Sequence, residues 1–502
     1  MRDNSSVCFT LAVSAALCVA AWSGSAVNSQ ERIPTTAASS ASVKSKKITA
    51  TTPSEEARKA FLQGRDLAER LLAQDSIAHF DKAISLDPTF AYAELGRANS
   101  SQTAKDFFDH LKKAVNLSDK ASDGERLLIL ATEAGANGNA PKQKALLDRL
   151  IAAYPDDERA NFAIGGYYFG QQDYPKAIEH YSKATRLAPD YSAAYNILGY
   201  AHRQKGDYAS AELAFKKYIE LIPNDPNPYD SYGELLLKMG KFDDSISQYR
   251  KALSIDPNFV ASHLGISADL MYMGKPDEAA AELGIITEKA RSDGDRRTAL
   301  AGLTVVDVDG GNLDKALADV DQQYALGEKI NDVAAMAGDL QTKGNILVEM
   351  GKYDQAKEQF EKALKITEGS GLSKEIKENA ARAHHFNLAT VALGKNDFKA
   401  AKAEADEFRK GAEASGNPAQ IKLSHQLAGT IALAEKDYDR AIAELQRSSD
   451  QDPQNLYRQC LAQRGKGDNK KAGEFCARAA NFNSLPLLNY ALIRTKAKKM
   501  GA

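Results

Sequence analysis

The feature that most constrains this chain is a glycine that returns at a fixed interval. Gly165, Gly199 and Gly233 stand 34 residues apart, each inside a stretch that otherwise reads as helix. Glycine costs a helix interior about 1 kcal/mol relative to alanine, so a position that keeps it answers to packing. Aligned in blocks starting at Glu158, Ser192, Pro226 and Val260, the eighth position reads Gly165, Gly199, Gly233 and Ser267. The twentieth reads Ala177, Ala211, Ser245 and Ala279, and the twenty-fourth Tyr181, Phe215, Tyr249 and Leu283. Pro189, Pro223 and Pro257 close successive blocks, and Pro155 extends the series backward. A period in this range marks a solenoid, whose units bury their apolar faces only by stacking on one another.

Each block divides into two helices. Tyr195, Leu198, Gly199 and His202 share one face of a first helix. Gly206 suits the positive φ that ends it, and Asp207 suits the cap of the next. Ala211, Phe215 and Tyr218 form the answering face. This reading sets Gly199 where Ala211 must pack, small against small, with the aromatic filling space further along.

These spacings resemble the tetratricopeptide repeat family, through the small pair, the aromatic late in the second helix and the closing proline. The fourth position departs from its usual large aromatic, reading Asn161, Tyr195, Tyr229 and His263. The resemblance implies an all-α fold, a right-handed α-solenoid of helix-turn-helix units. Upstream, Gly64, Phe80, Ala83 and Pro88 keep the pattern. Downstream, Ala316, Ala356, Ala401, Ala441 and Ala472 continue the twentieth position at longer and unequal spacings, which implies longer helices. About twelve units are expected. The regular array covers 54–293, longer irregular repeats cover 294–484, and a capping helix and tail cover 485–502. In that last helix Arg494, Lys496, Lys498 and Lys499 supply the polar face a terminal repeat needs.

The amino terminus reads differently. Arg2 precedes an apolar stretch from Val7 to Trp22 and small residues that include Gly24 and Ala26. This is the layout of a signal peptide over 1–26, cleaved after Ala26. The stretch is shorter than the roughly 20 apolar residues of a membrane span, although Asp3 leaves an uncleaved anchor as the alternative. Leu17 before Cys18 is too bulky for a lipidation signal. Residues 27–53, rich in Ser, Thr and Ala, read as a disordered linker. Cleavage would remove Cys8, Cys18 and the single tryptophan, leaving Cys460 and Cys476. In the unit beginning at Pro453 these two hold the eighth and twenty-fourth positions. An oxidising compartment favours a disulfide between them, the competing reading being two buried thiols too far apart to bond.

Charge excludes a class of function. With 65 Lys and Arg against 67 Asp and Glu, no dominant attraction to nucleic acid is expected. Gly240-Lys241, Gly274-Lys275, Gly351-Lys352 and Gly394-Lys395 lack the Ser or Thr and the preceding strand of a phosphate loop, so they read as turns. His384-His385 has no companion ligands, and no metal, cofactor or catalytic residue is expected.

The family resemblance implies protein or peptide binding on a concave face built from first helices. Its fifth positions are Phe162, Asn196, Asp230 and Leu264; its ninth and twelfth add Tyr200, Glu234, Phe169, Arg203, Leu237 and Met271. Phe162 and Gly166 stand where the family's basic clamp for a terminal carboxylate needs Lys and Asn. An internal segment or a folded surface is therefore expected as ligand, held by apolar contacts and a hydrogen bond from Asn196. The functional expectation is a periplasmic or secreted bacterial scaffold without catalysis, touching membrane only if the leader is uncleaved. The alternatives are a membrane-anchored recruiter and a non-catalytic subunit of an envelope enzyme.

Overall fold

The computed structural model describes residues 46–101 and 103–501. The expected leader, and the expected linker as far as residue 45, lie outside the described residues. Among the described residues there are 25 α-helices, a short 3-10 turn at Ser118–Lys120 and no strand. The fold is an all-α solenoid.

The helices fall into twelve consecutive pairs and one final helix. The first pairs are α1 (Glu55–Glu69) with α2 (Ala73–Leu86), and α3 (Ala91–Asn99) with α4 (Ala104–Leu117). Next come α5 (Asp123–Ala136) with α6 (Ala140–Ala153), and α7 (Glu158–Gly170) with α8 (Tyr174–Leu187). Then follow α9 (Ser192–Lys205) with α10 (Tyr208–Leu221), and α11 (Asn227–Lys238) with α12 (Phe242–Ile255). The seventh pair is α13 (Val260–Tyr272) with α14 (Pro276–Lys289).

The eighth to tenth pairs are α15 (Asp293–Asp309) with α16 (Leu313–Lys329), α17 (Val333–Glu349) with α18 (Tyr353–Glu368), and α19 (Lys374–Gly394) with α20 (Phe398–Ser415). The last two are α21 (Pro418–Ala434) with α22 (Tyr438–Gln446), and α23 (Pro453–Lys466) with α24 (Asn469–Ala480). The final helix is α25 (Leu488–Gly501). Helices α15 to α21 run 16 to 21 residues each, the lengthening that the wider spacing implies.

Local chemistry sets these boundaries. Gly206 ends α9 at φ +84°, and the Asp207 carboxylate accepts the Ser210 N–H at 3.2 Å to start α10. The eighth and twentieth positions do face each other. Ser245 Oγ donates to the Gly233 carbonyl at 2.8 Å, and Ser267 Oγ to the Ala279 carbonyl at 3.0 Å. The reason for the glycine itself needs correcting. A Cβ on Gly199 would lie 2.7 Å from the Phe215 ring, and on Gly165 2.8 Å from Tyr181. The glycine seats the aromatic of the twenty-fourth position rather than making room for Ala211. In the twelfth unit the same two positions are joined covalently, as the Cys460–Cys476 disulfide with Cα atoms 5.2 Å apart.

The departure at the fourth position also has a partner. His263 Nδ1 lies 2.5 Å from Glu282, His385 Nδ1 2.6 Å from Glu404, and His425 Nδ1 2.7 Å from Glu444. A polar ring there is held by a glutamate on the second helix of its own unit.

Successive first helices touch one another, α11 with α13 and α13 with α15 among them, so they line the inner side. The array completes a turn and meets itself. Asp332, the N-cap of α17, gives one oxygen to the Ala335 N–H and the other to Ala104 N–H at 3.0 Å, two units into the chain. Ser373, which caps α19, also donates to Asn137; Asn417, which caps α21, also donates to the Gly138 carbonyl at 2.9 Å. Gln172 reaches Ser449 at 3.0 Å. One turn therefore takes about seven units. Caps of one turn serve as fasteners to the next.

Candidate partner-binding surface

The ten side chains expected to face a partner lie on first helices, where the spacing puts them, and most pack between neighbouring units. Asn196 is buried and its amide donates to Asn227 Oδ1 at 3.4 Å, while its own carbonyl has no partner. Tyr200 donates to Ser231 Oγ at 3.2 Å with its ring edge-on to Phe215. Arg203 pairs with Glu234 at 2.6 Å and lies over the Tyr200 ring. Asp230 is buried and accepts from Ser262 Oγ at 2.7 Å. Leu237, Leu264 and Met271 belong to the largest apolar cluster.

Phe162, half-buried, touches the Tyr181 and Tyr191 rings, and Phe169 sits edge-on to Tyr174. The unit-to-unit stacking of a solenoid explains this burial: an inner-face side chain meets the residue about one repeat later.

The inner face carries buried ionisable groups. Burial, aided by Glu234, pushes the Asp230 carboxyl up to about 8. Burial does the same for Asp269, which is fully enclosed, against a smaller opposing pull from Ser245. Burial, with Arg203 nearby, pushes the Lys238 ammonium down to about 7; it donates to the Phe482 carbonyl and lies over that ring.

Both ends of the described chain settle on the array. Helix α25 was expected as a cap, and it packs on α23 and α24. It also lies against α15, on the inner side of an earlier stretch. Tyr490 and Ile493 join the largest apolar cluster, and the Tyr490 ring meets Tyr272 at 5.5 Å. Arg494 forks onto Asp309, and Lys496 pairs with Glu349 at 2.5 Å. This second contact has no signature in any one repeat.

The other end corrects the linker boundary. Residues 46–53 are held across units one to four instead of standing free. Ile48, Ala50 and Thr52 are buried while Lys47, Thr49 and Thr51 are exposed, the alternation of an extended chain. Among the described residues no group of three or more His, Cys, Asp or Glu could hold a metal ion, and no helix is long and apolar enough to cross a membrane.

Comparison with family profiles agrees with the repeat. Residues 130–192 and 167–226 match one tetratricopeptide repeat profile, and residues 227–259 and 340–369 match another. Those segments match tetratricopeptide repeats. No curated protein matches it. Among solved structures, a chain in the crystal structure of the APC/C hetero-tetramer Cut9-Hcn1 is 14% identical, with 84% of this chain and 76% of that one covered at a TM-score of 0.40. The MamA protein is 22% identical over 34% of this chain and 96% of its own, at 0.28. A thermophilic repeat protein of Thermus thermophilus is 18% identical over 43% and 98%, at 0.29. Tetratricopeptide repeats bind protein or peptide partners.

Proposed function

We propose that this chain is a protein-binding scaffold of the bacterial envelope or the extracellular space, without catalysis of its own. The observation that carries the reading is that the array already holds two pieces of polypeptide, an extended arm and a basic helix. The amino-terminal sequence supports export through its apolar stretch followed by small residues. The inner face of units four and five, with Phe162, Phe169 and Tyr200 half-buried, is the stretch we assign to a partner. A solenoid offers such a face over many units, and a few aromatic anchors can dominate its affinity.

The test is crosslinking in native cells, with a photoreactive residue at Phe162 or Phe169 and a control on the exposed Leu213 of α10. Proteins attached through the inner positions and absent from the control support the scaffold. Equal attachment at both kinds of site refutes the inner-face assignment. Amino-terminal sequencing of the cellular protein decides cleavage after Ala26 against a retained anchor.

A further inference from the structure

The arm ahead of α1 is held in a way that describes a ligand. Asp157, the N-cap of α7, gives Oδ1 to the N–H groups of Arg159 and Ala160 and Oδ2 to the Ile48 N–H at 2.9 Å. Glu125, in the first turn of α5, gives Oε2 to Ser122 and Oε1 to the Thr51 N–H at 2.8 Å. Each carboxylate thus spends one oxygen on its own helix and one on the backbone of the arm. Both are buried, so neither oxygen has water as a substitute partner.

Five side chains of the arm add contacts of their own. Ile48 enters a space that exists because residue 124 is glycine: a Cβ there would lie 2.9 Å from Ile48 and 3.0 Å from Tyr154. Ala50 joins the cluster of Phe61, Phe90 and Tyr92. Lys47 pairs with Glu158 at 2.5 Å, Lys46 lies over the Tyr154 ring, and Thr52 Oγ1 donates to Asp87 at 2.6 Å. The demands on sequence are few: a basic residue, an aliphatic one next to it, and small residues at alternate positions beyond.

We propose that the tract from Asp87 through Glu125 to Asp157 is a second peptide site, separate from the inner-face stretch at units four and five. Its ligand is an extended partner segment of the pattern lysine, aliphatic, any, small. Residues 46–52 fill it in cis until such a segment replaces them. The inference rests on the protein-binding reading but concerns different residues, so failure of the crosslinks at Phe162 leaves it standing.

The test uses the full chain and a fluorescent synthetic peptide of residues 45–53. In the I48D chain the arm carries an acid beside Asp157 and Glu158, and the site opens. The peptide is expected to bind I48D saturably and the unaltered chain at least tenfold more weakly. Adding G124A, which fills the aliphatic space while favouring the helix, is expected to weaken peptide binding to I48D at least tenfold. A T51P chain, lacking the second backbone donor, provides the same opening by another route. Binding of an Ile48→Asp peptide as tight as that of the native peptide overturns the proposal, because charge alone would then explain capture. So does absence of binding to both opened chains. Loss of the folded state in both opened chains also overturns it, since the arm would then be integral core and not an exchangeable ligand.

Discussion

The two ends of the described chain lie on the same array and are held by opposite means. The arm of residues 46–53 has no internal hydrogen bonds to satisfy its backbone, so the array reads that backbone, through Asp157 and Glu125. Helix α25 satisfies its own backbone and is read only by side chains, through Tyr490, Ile493, Arg494 and Lys496. A backbone-read site tolerates many sequences; a site read by an apolar face plus placed charges tolerates few. The first belongs to an exchangeable contact and the second to a permanent one.

The largest effect is expected at the helix. Ile493→Asp puts a charge into the largest apolar cluster and is expected to cost about 3 kcal/mol or more. Urea unfolding measures the loss, and small-angle scattering should report expansion as the twelfth unit parts from α15. If the midpoint and the radius stay put, α25 is no anchor.

Next in size is the disulfide that braces the unit on which α25 leans. Cys460→Ser is expected to cost roughly 3 kcal/mol by loop-closure entropy. Thiol labelling of the unreduced, denatured chain without its leader should find no free cysteine; two labelled thiols would remove the brace from the comparison.

Acidity separates the inner face from the arm by sign. Asp230 and Asp269 are raised to about 8, so the stability they allow is fully present at pH below the usual carboxylate range and is lost as pH rises through about 8. At the arm, burial pushes the Asp87 carboxyl up, but hydrogen bonds from Thr52 and Thr89 outweigh it and leave the group below its ordinary value. At Glu158 burial likewise pushes the carboxyl up, and Lys47, a backbone N–H and Arg159 together leave it below its ordinary value. Their contribution is present at neutral pH and is lost as pH falls through those lowered values. Asp230→Asn should therefore flatten the decline in stability between pH 5 and 8, gaining on the order of 1 kcal/mol at pH 8. An unchanged slope would refute this.

The smallest effect is expected at the arm. Ile48→Ala should lower global stability by less than about 1 kcal/mol while raising amide exchange at residues 48 and 51, because the loss cannot exceed the arm's own docking energy. A global loss as large as that of Ile493→Asp would erase the distinction between the ends.

The repeat, its helix pairs, the Gly206–Asp207 junction and the facing positions of Cys460 and Cys476 were legible because each depends on spacing within one unit. The inner-face positions were legible as positions, but their burial was not. Whether Asn196 or Asp230 meets solvent is decided by the rotation from one unit to the next, which no single block encodes. The same accumulated rotation brings Asp332 to Ala104 and α25 to α15. The arm did carry a signal, Ile48 alternating with Ala50 and Thr52, which the Ser- and Thr-rich composition around it masked.

The doubled duty of the helix caps has a mechanical consequence. Asp332, Ser373 and Asn417 join one turn to the next through polar atoms alone, and each keeps its own helix capped whether or not the neighbouring turn is present. Away from α25, pulling the turns apart would exchange these bonds for water and leave the units intact. The array can then lengthen under load as a coil spring does, and recoil without refolding.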